Sequence, residues 1–285
     1  MLFQATQASV LVRPAQESDR LQLSNLFHFE PYIHRHLDWK RPLDWLGEAP
    51  FLVAERNGRV IATLACPPEP PGVAWIRAFA ASNQMRLERV WKLLWQEARQ
   101  ALSGMGDVRI AALCADAWMR KLLEISGFRQ THSVVLLAWD CAAPLTPPSY
   151  PGRPRVMLPD DLPQVFALDW GCFDPLWRNS QAVLQLAFNQ AVFATVIEEE
   201  HAIIGYQIST PSPRGGHLAR LGVHPKRQGS GIGYALLVDL LVRFSNQGAT
   251  QVTVNTQAEN AASLALYKKA NFEQTGHIYP VYEYF

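Results

Sequence analysis

Three glycines, Gly229, Gly231 and Gly233, fall within five residues of the stretch VHPKRQGSGIG, Val223 to Gly233. A strand-like run, His217 to Val223, precedes them. An amphipathic helical run follows from Tyr234, with Leu237, Leu240, Leu241 and Phe244 at three- and four-residue spacing. The first amides of a helix have no partner within it and sit at the positive end of its dipole, so a strand, bare loop and helix in this order can cradle a pyrophosphate. Glycine lets the backbone approach the phosphate oxygens and take a positive φ. The spacing excludes two common nucleotide loops. A dinucleotide-binding GxGxxG needs glycine where Tyr234 stands, and no GKS or GKT closes an ATP-type loop.

What remains is Gln228-x-x-Gly231-x-Gly233 after Val223-x-Pro225, which resembles motif A of the GNAT family of N-acetyltransferases. Downstream, Asn260-Ala261-Ala262-Ser263-Leu264-Ala265-Leu266-Tyr267-Lys268-Lys269-Ala270-Asn271-Phe272 resembles that family's motif B, with Asn271 where glycine is usual. Asparagine tolerates the left-handed conformation of a helix C-cap, so the departure is mild. The resemblance covers residues 156–285. It implies acetyl-CoA as cosubstrate, no metal, and a site in which Gln228, Gly229, Ser230, Gly231, Ile232, Gly233 and Tyr234 hold the pyrophosphate. It further implies that the strand end Leu221-Gly222-Val223 splays from its neighbour to bind the pantetheine arm, with Asn260 and Tyr267 completing the site. Tyr267 matches the usual general acid, and its ordinary pKa near 10 lies close to that of a leaving thiol. For the base, the strand PSPRGGHLARLGV offers no carboxylate. His217 is the nearest titratable group, with Glu200, Glu283 or a water chain as alternatives, and His224 is expected to cap or face solvent.

These residues need a scaffold, and the chain repeats one. FLVAERNGRVIATLA (51–65) and FATVIEEEHAIIGYQI (193–208) each read as a hairpin and superpose at an offset of 143, while Leu123–Phe128 and Tyr267–Phe272 align at 144. Each half gives strand, helices, hairpin, strand, helix, strand, helix, strand. The expected fold is therefore α/β, with two tandem acyl-CoA N-acyltransferase domains on mixed sheets. CAAPLTPPSYPGRPR, with five prolines, reads as an extended connection. The expected division is residues 1–142, a linker at 143–155, and 156–285. The last segment, EQTGHIYPVYEYF, is expected to be split by Pro280, so that the final strand is short or the first domain completes the sheet.

In the first half, SNQMRLERVWKLL (82–94) stands where the glycine loop should be. Met85, Glu88 and Val90 replace Gln228, Gly231 and Gly233, and Leu123 replaces Tyr267. A carboxylate there repels pyrophosphate, so one coenzyme site per chain is expected, in the second half. Seven of nine tryptophans (Trp39, Trp45, Trp75, Trp91, Trp95, Trp118, Trp139) lie in the first half with His34, His36 and Asp38. They read first as core and domain interface, second as an acceptor pocket.

Lys+Arg 26 against Asp+Glu 25 leaves no basic footprint for nucleic acid. The opening residues carry no leader pattern and no apolar run reaches the ~20 residues that span a bilayer, so a cytoplasmic protein without membrane partners is expected. Cys66, Cys114, Cys141 and Cys172 are scattered without disulfide or zinc spacing. Two functions fit. One is an N-acetyltransferase acting on a small-molecule amine or a peptide N-terminus. The other is a coenzyme A sensor or interaction module.

Overall fold

The computed structural model describes residues 9–285; the reading of the first eight residues as leaderless lies outside them. The described residues divide into two compact units, those up to residue 131 with 280–285 and residues 132–279.

In the first unit, β1 (Leu11–Pro14), α1 (Arg20–Phe29), β2 (Tyr32–Arg35), β3 (Phe51–Arg56), β4 (Arg59–Ala65), β5 (Val73–Trp75), β6 (Ala78–Ala81), α2 (Leu87–Ser103), β7 (Arg109–Leu113) and α3 (Ala117–Ile125) follow in order, and β8 (Phe128–Asp140) begins. The sheet order is β1-β3-β4-β6-β2. β5 runs parallel to β7, and β7 pairs antiparallel with Val281–Tyr284. The β3–β4 turn uses Asn57 and Gly58, both at positive φ, the pairing that suits the twist of a two-residue hairpin. Trp45 and Trp91 are fully buried and Trp75 and Trp95 nearly so, which makes them core.

In the second unit, β9 (Arg155–Val156), α4 (Leu162–Cys172), α5 (Gln181–Gln190), β10 (Phe193–Glu199), β11 (Ala202–Ser212), β12 (Gly215–Val223), α6 (Ile232–Asn246), β13 (Gln251–Gln257), α7 (Ala261–Lys269) and most of β14 (Glu273–Tyr284) follow a similar order, except that the first half has strand β2 where a second helix was expected and where α5 stands here, and the two short strands β5 and β6 where β12 is one. Strands lie as β8-β13-β12-β11-β10-β9, with only β12 and β13 parallel. The equivalent hairpin turn, Glu200-His201, takes positive φ without glycine. Leu237, Leu240, Leu241 and Phe244 are all buried, as their spacing predicts, against Leu218, Val252 and Val254.

Pro280 does not split the last segment. β14 is one strand of 12 residues, and the Pro280 carbonyl accepts from the Cys114 amide at 2.9 Å. A proline lacks only the donor, so its carbonyl can still serve the ladder. Each unit thus contains residues from the other half of the sequence, 280–285 in the first and 132–140 in the second. The proline-rich stretch 143–155 lies within the second unit. Among the described residues no helix is long and apolar enough to cross a membrane.

Close packing fixes some positions as glycine. A Cβ on Gly216 would stand 2.3 Å from the Phe244 ring. Gly216→Val is expected to lower unfolding stability by about 1 to 3 kcal/mol through overpacking, read from the urea midpoint with an unchanged m-value.

Candidate functional site

The site grows from one divergence. β12 pairs with β13 from Gly215↔Gln251 to Leu218↔Val254 and no further, although β12 continues to Val223 and β13 to Gln257. From Ala219 to Val223, β12 therefore has no β13 partner along that edge: Arg220 and Gly222 turn their backbone groups to β11, and the alternate groups face the gap. On its other edge β12 stays with β11 through a bulge at Ala219, where Ile208↔Arg220 is followed by Ser209↔Leu218. The bulge turns Arg220 to the face of α4, away from Leu218 and Leu221, which pack toward α6.

There Arg220 meets Asp169 of α4, whose carboxylate is wholly buried. Nε and Nη2 of Arg220 donate to it at 2.7 and 2.9 Å, and the Tyr206 hydroxyl donates as well. Burial, then the nearby carboxylate, holds the Tyr206 phenol well above its ordinary pKa. The Tyr206 ring fills the space over Gly222, where a Cβ would be 2.6 Å from it. The Arg220 guanidinium also lies 3.5 Å from the Phe173 ring centroid, and the Cys172 thiol donates to the Val223 carbonyl at 3.1 Å. Helix α4 thus grips β12 at both ends of its unpaired stretch.

Beyond Val223 the chain turns through Pro225–Arg227, capped by His224 accepting from Lys226 N at 3.3 Å. Gly229 and Gly231 take φ of +78° and +92°, and Gly231 is the N-cap of α6. A left-handed N-cap of this kind suits glycine and leaves the first α6 amides open. Side chains brace the loop: Gln228 donates to the Val223 carbonyl at 3.2 Å and Ser230 to the Arg227 carbonyl at 2.6 Å. Gly233 faces Leu221, Val223 and Leu266 at ordinary packing distance, and Ile232 is buried beside Leu221 and Val223. Ser149 and Tyr150 lie over Gly231, while the Tyr234 hydroxyl donates to the Thr146 carbonyl at 3.0 Å.

Asn260 caps α7, accepting from Ser263 N at 3.0 Å, and Asn271 closes it at φ +64°. Tyr267 lies in the apolar cluster with Tyr234, Leu237 and Phe272, and burial pushes its phenol pKa upward. The near match to a thiol expected from its ordinary pKa is therefore lost in this state, which holds the group firmly as a proton carrier. His217 lies on β12 with Nδ1 2.8 Å from Thr253 Oγ1, and burial lowers its pKa, so it is neutral at pH 7. The alternatives stand elsewhere. Glu283 belongs to the first unit, bound to Arg109 and Thr131, and Glu200 sits in the hairpin turn. Sequence reasoning missed Asp169, Arg220 and Tyr206. Only Arg220 carried a signal, since it falls at the repeat offset from Arg77.

Residues 162–272 match the acetyltransferase (GNAT) family. This segment is a GNAT acetyltransferase domain. Mycothiol acetyltransferase of Kocuria rhizophila is 36% identical over 66 residues, 23% of this chain and 22% of that one. That of Saccharopolyspora erythraea is 29% identical over 86 residues, 30% and 28%. The chain thus spans under a third of the length of these curated relatives. The likeness in fold reaches well beyond the matched segment. A GCN5-related N-acetyltransferase from Sphaerobacter thermophilus superposes with a TM-score of 0.64 at 15% identity, covering 96% of this chain and 95% of that one. A tandem GNAT protein from the clavulanic acid biosynthesis pathway gives 0.64 at 15%, covering 96% and 98%. The fold is α/β, with the GNAT domain inside the second unit.

Two measurements check this geometry. Asp169→Leu leaves the Arg220 guanidinium buried without its carboxylate and is expected to cost about 3 to 5 kcal/mol of unfolding stability in urea. His217 takes its proton in the folded GNAT domain only below the pH at which the unfolded chain does. Its contribution is therefore flat above about 6.5 and declines as pH falls below that. Compared with His217→Gln, the wild type should lose more stability between pH 7.5 and 5.5; equal losses would show that the imidazole is not held neutral.

Proposed function

We propose that the chain is an N-acetyltransferase whose GNAT domain transfers acetyl from acetyl-CoA to a primary amine by direct attack. The observation that carries this reading is the parting of β12 from β13 directly before a left-handed Gly231 at the N-cap of α6. An unpaired strand edge and a set of open helix amides fit, in that order, an amide-bearing arm ending in a pyrophosphate. No metal ligand is required by this chemistry.

In this reading the amides of residues 229–233 hold the pyrophosphate, and the amides of β12 between Ala219 and Val223 that turn away from β11 hold the pantetheine arm and polarise the thioester carbonyl, as a preorganised oxyanion site would. His217, neutral at pH 7, accepts a proton from the incoming ammonium, which must lose one to attack. Tyr267, protonated, donates to the departing thiolate. Burial raises the cost of that donation. The developing thiolate charge beside it offsets the cost by drawing the proton over.

The first half supports a single site per chain. Leu123, at the place of Tyr267, is fully buried, and α2 begins after Arg86 with no left-handed glycine before it. Its role in this reading is to shape the acceptor site or to complete the fold. The relatives' name, mycothiol acetyltransferase, supports acetyl transfer; the acceptor class is a small-molecule amine or a peptide N-terminus. The cysteines are free thiols, which supports a cytoplasmic setting.

Thiol release from acetyl-CoA across a panel of primary amines and peptides tests the reading. Tyr267→Phe should slow turnover more than tenfold with acetyl-CoA affinity within twofold; equal turnover removes Tyr267 from the mechanism. Gly231→Glu, copying Glu88, should abolish coenzyme binding. A second reading rests on the absence of a carboxylate from β12 and the burial of Tyr267. Tight coenzyme binding with no turnover on any acceptor would assign the chain to a coenzyme A sensor.

A further inference from the structure

The parting of β12 and β13 leaves a side chain unpaired as well as backbone. Along β13, Val252 and Val254 turn toward α6, where they pack with Leu218 and Phe244. Thr253 and Asn255 therefore take the opposite face, because strand side chains alternate. On that face Thr253 engages His217, and Asn255 is the next residue, one position beyond the last paired residue, Val254. The Asn255 side-chain carbonyl is shut off from solvent and accepts no hydrogen bond. A buried acceptor without a donor is costly, and leucine at this position would avoid the cost. An amide kept there calls for a donor that arrives from outside the chain.

The geometry points to Asn255 as a ligand-binding residue whose side-chain carbonyl accepts a hydrogen bond from an N–H group of a ligand seated where β12 and β13 part. This rests on the acetyl-CoA reading, which supplies two such groups, the amides of the pantetheine arm and the acceptor amine. Phosphate, carboxylate and ether groups have no proton to give and are excluded. The same face carries the neutral His217 imidazole, so a ligand amine held by Asn255 stands on the side of the sheet from which its proton can be taken.

Asn255→Leu separates the sources. Affinities are measured for coenzyme A and for 3′-phosphoadenosine 5′-diphosphate, which is the coenzyme without its arm, and KM and kcat for the amine giving the fastest thiol release. Loss of coenzyme A affinity by about tenfold, with that for the armless nucleotide within twofold, assigns the donor to the pantetheine arm. Unchanged affinities with an amine KM raised about tenfold and kcat within threefold assign it to the acceptor. In either case the ligand-free variant should melt at or above the wild-type temperature, since it has lost an unsatisfied polar group; a residue serving only the fold would melt lower. The inference is overturned if all constants stay within twofold, or if both nucleotides weaken together. If the wild type binds coenzyme A no more tightly than the armless nucleotide, the coenzyme reading itself fails, and the role of Asn255 with it.

Discussion

The buried carboxylate of Asp169 is the contact on which the second unit's site depends. A wholly buried charge must be paired, and in this fold its partners are Arg220 on β12 and Tyr206 on β11. Because both gripped strands belong to the side of the sheet away from β13, the pairing draws β12 toward β11 and α4. β13 remains joined to β8 along its full length, from Gln251↔Asp140 to Gln257↔Val134. The two parallel strands are thus anchored to different neighbours, and the gap between them is the mechanical result. A backbone edge left open in this way would be a liability on a surface. Inside the domain it is the feature that a ligand with its own amides can satisfy.

The first half shows that this divergence does not come from the glycine loop. At the repeat offset of 143, Arg77 occupies the place of Arg220 and is likewise buried, with Nη1 3.1 Å from Asp38. The backbone changes neighbours at the same point: Ile76 N donates to Ala111 of β7 at 2.7 Å, and Arg77 N to Ala65 of β4 at 2.8 Å. Met85, Glu88 and Val90 follow instead of a bare loop. A buried arginine with a carboxylate from a preceding segment therefore marks the parting of the strands in both halves, with and without the glycine loop. The fold supplies the gap, and in the proposed reading the loop decides whether a pyrophosphate can sit at its end.

What could be read from the sequence was local. The positive φ at Gly229, Gly231 and Asn271, the apolar face of α6 and the two hairpins each follow from residue type and spacing within a few positions. The partner of Arg220 lies 51 residues away on a helix whose pattern says nothing of a buried acid. Asn255 passed as one more polar residue in an alternating strand, because its significance depends on where β12 stops pairing. The exchange of residues 132–140 and 280–285 between units was similarly hidden: a strand's own residues specify that it pairs, and the register and neighbour come from the rest of the fold.

The proline-rich stretch shows how composition and role can part company. Prolines at 144, 147, 148, 151 and 154 keep it extended and free of a ladder, which leaves carbonyls without backbone partners. The second unit uses those carbonyls. Asn271 at the end of α7 donates to Pro144 at 2.8 Å and Tyr234 at the start of α6 donates to Thr146, while the Tyr150 hydroxyl reaches Glu199 at 2.8 Å and Arg227 pairs with the same carboxylate. Each contact ties the stretch to an element that frames the glycine loop. Read by composition it is a spacer; by its bonds it is a strap that joins the N-terminal end of α6, the C-terminal end of α7 and the β10 edge. The residues flanking the glycine loop are therefore positioned by the stretch that precedes the GNAT domain as well as by the domain's own core.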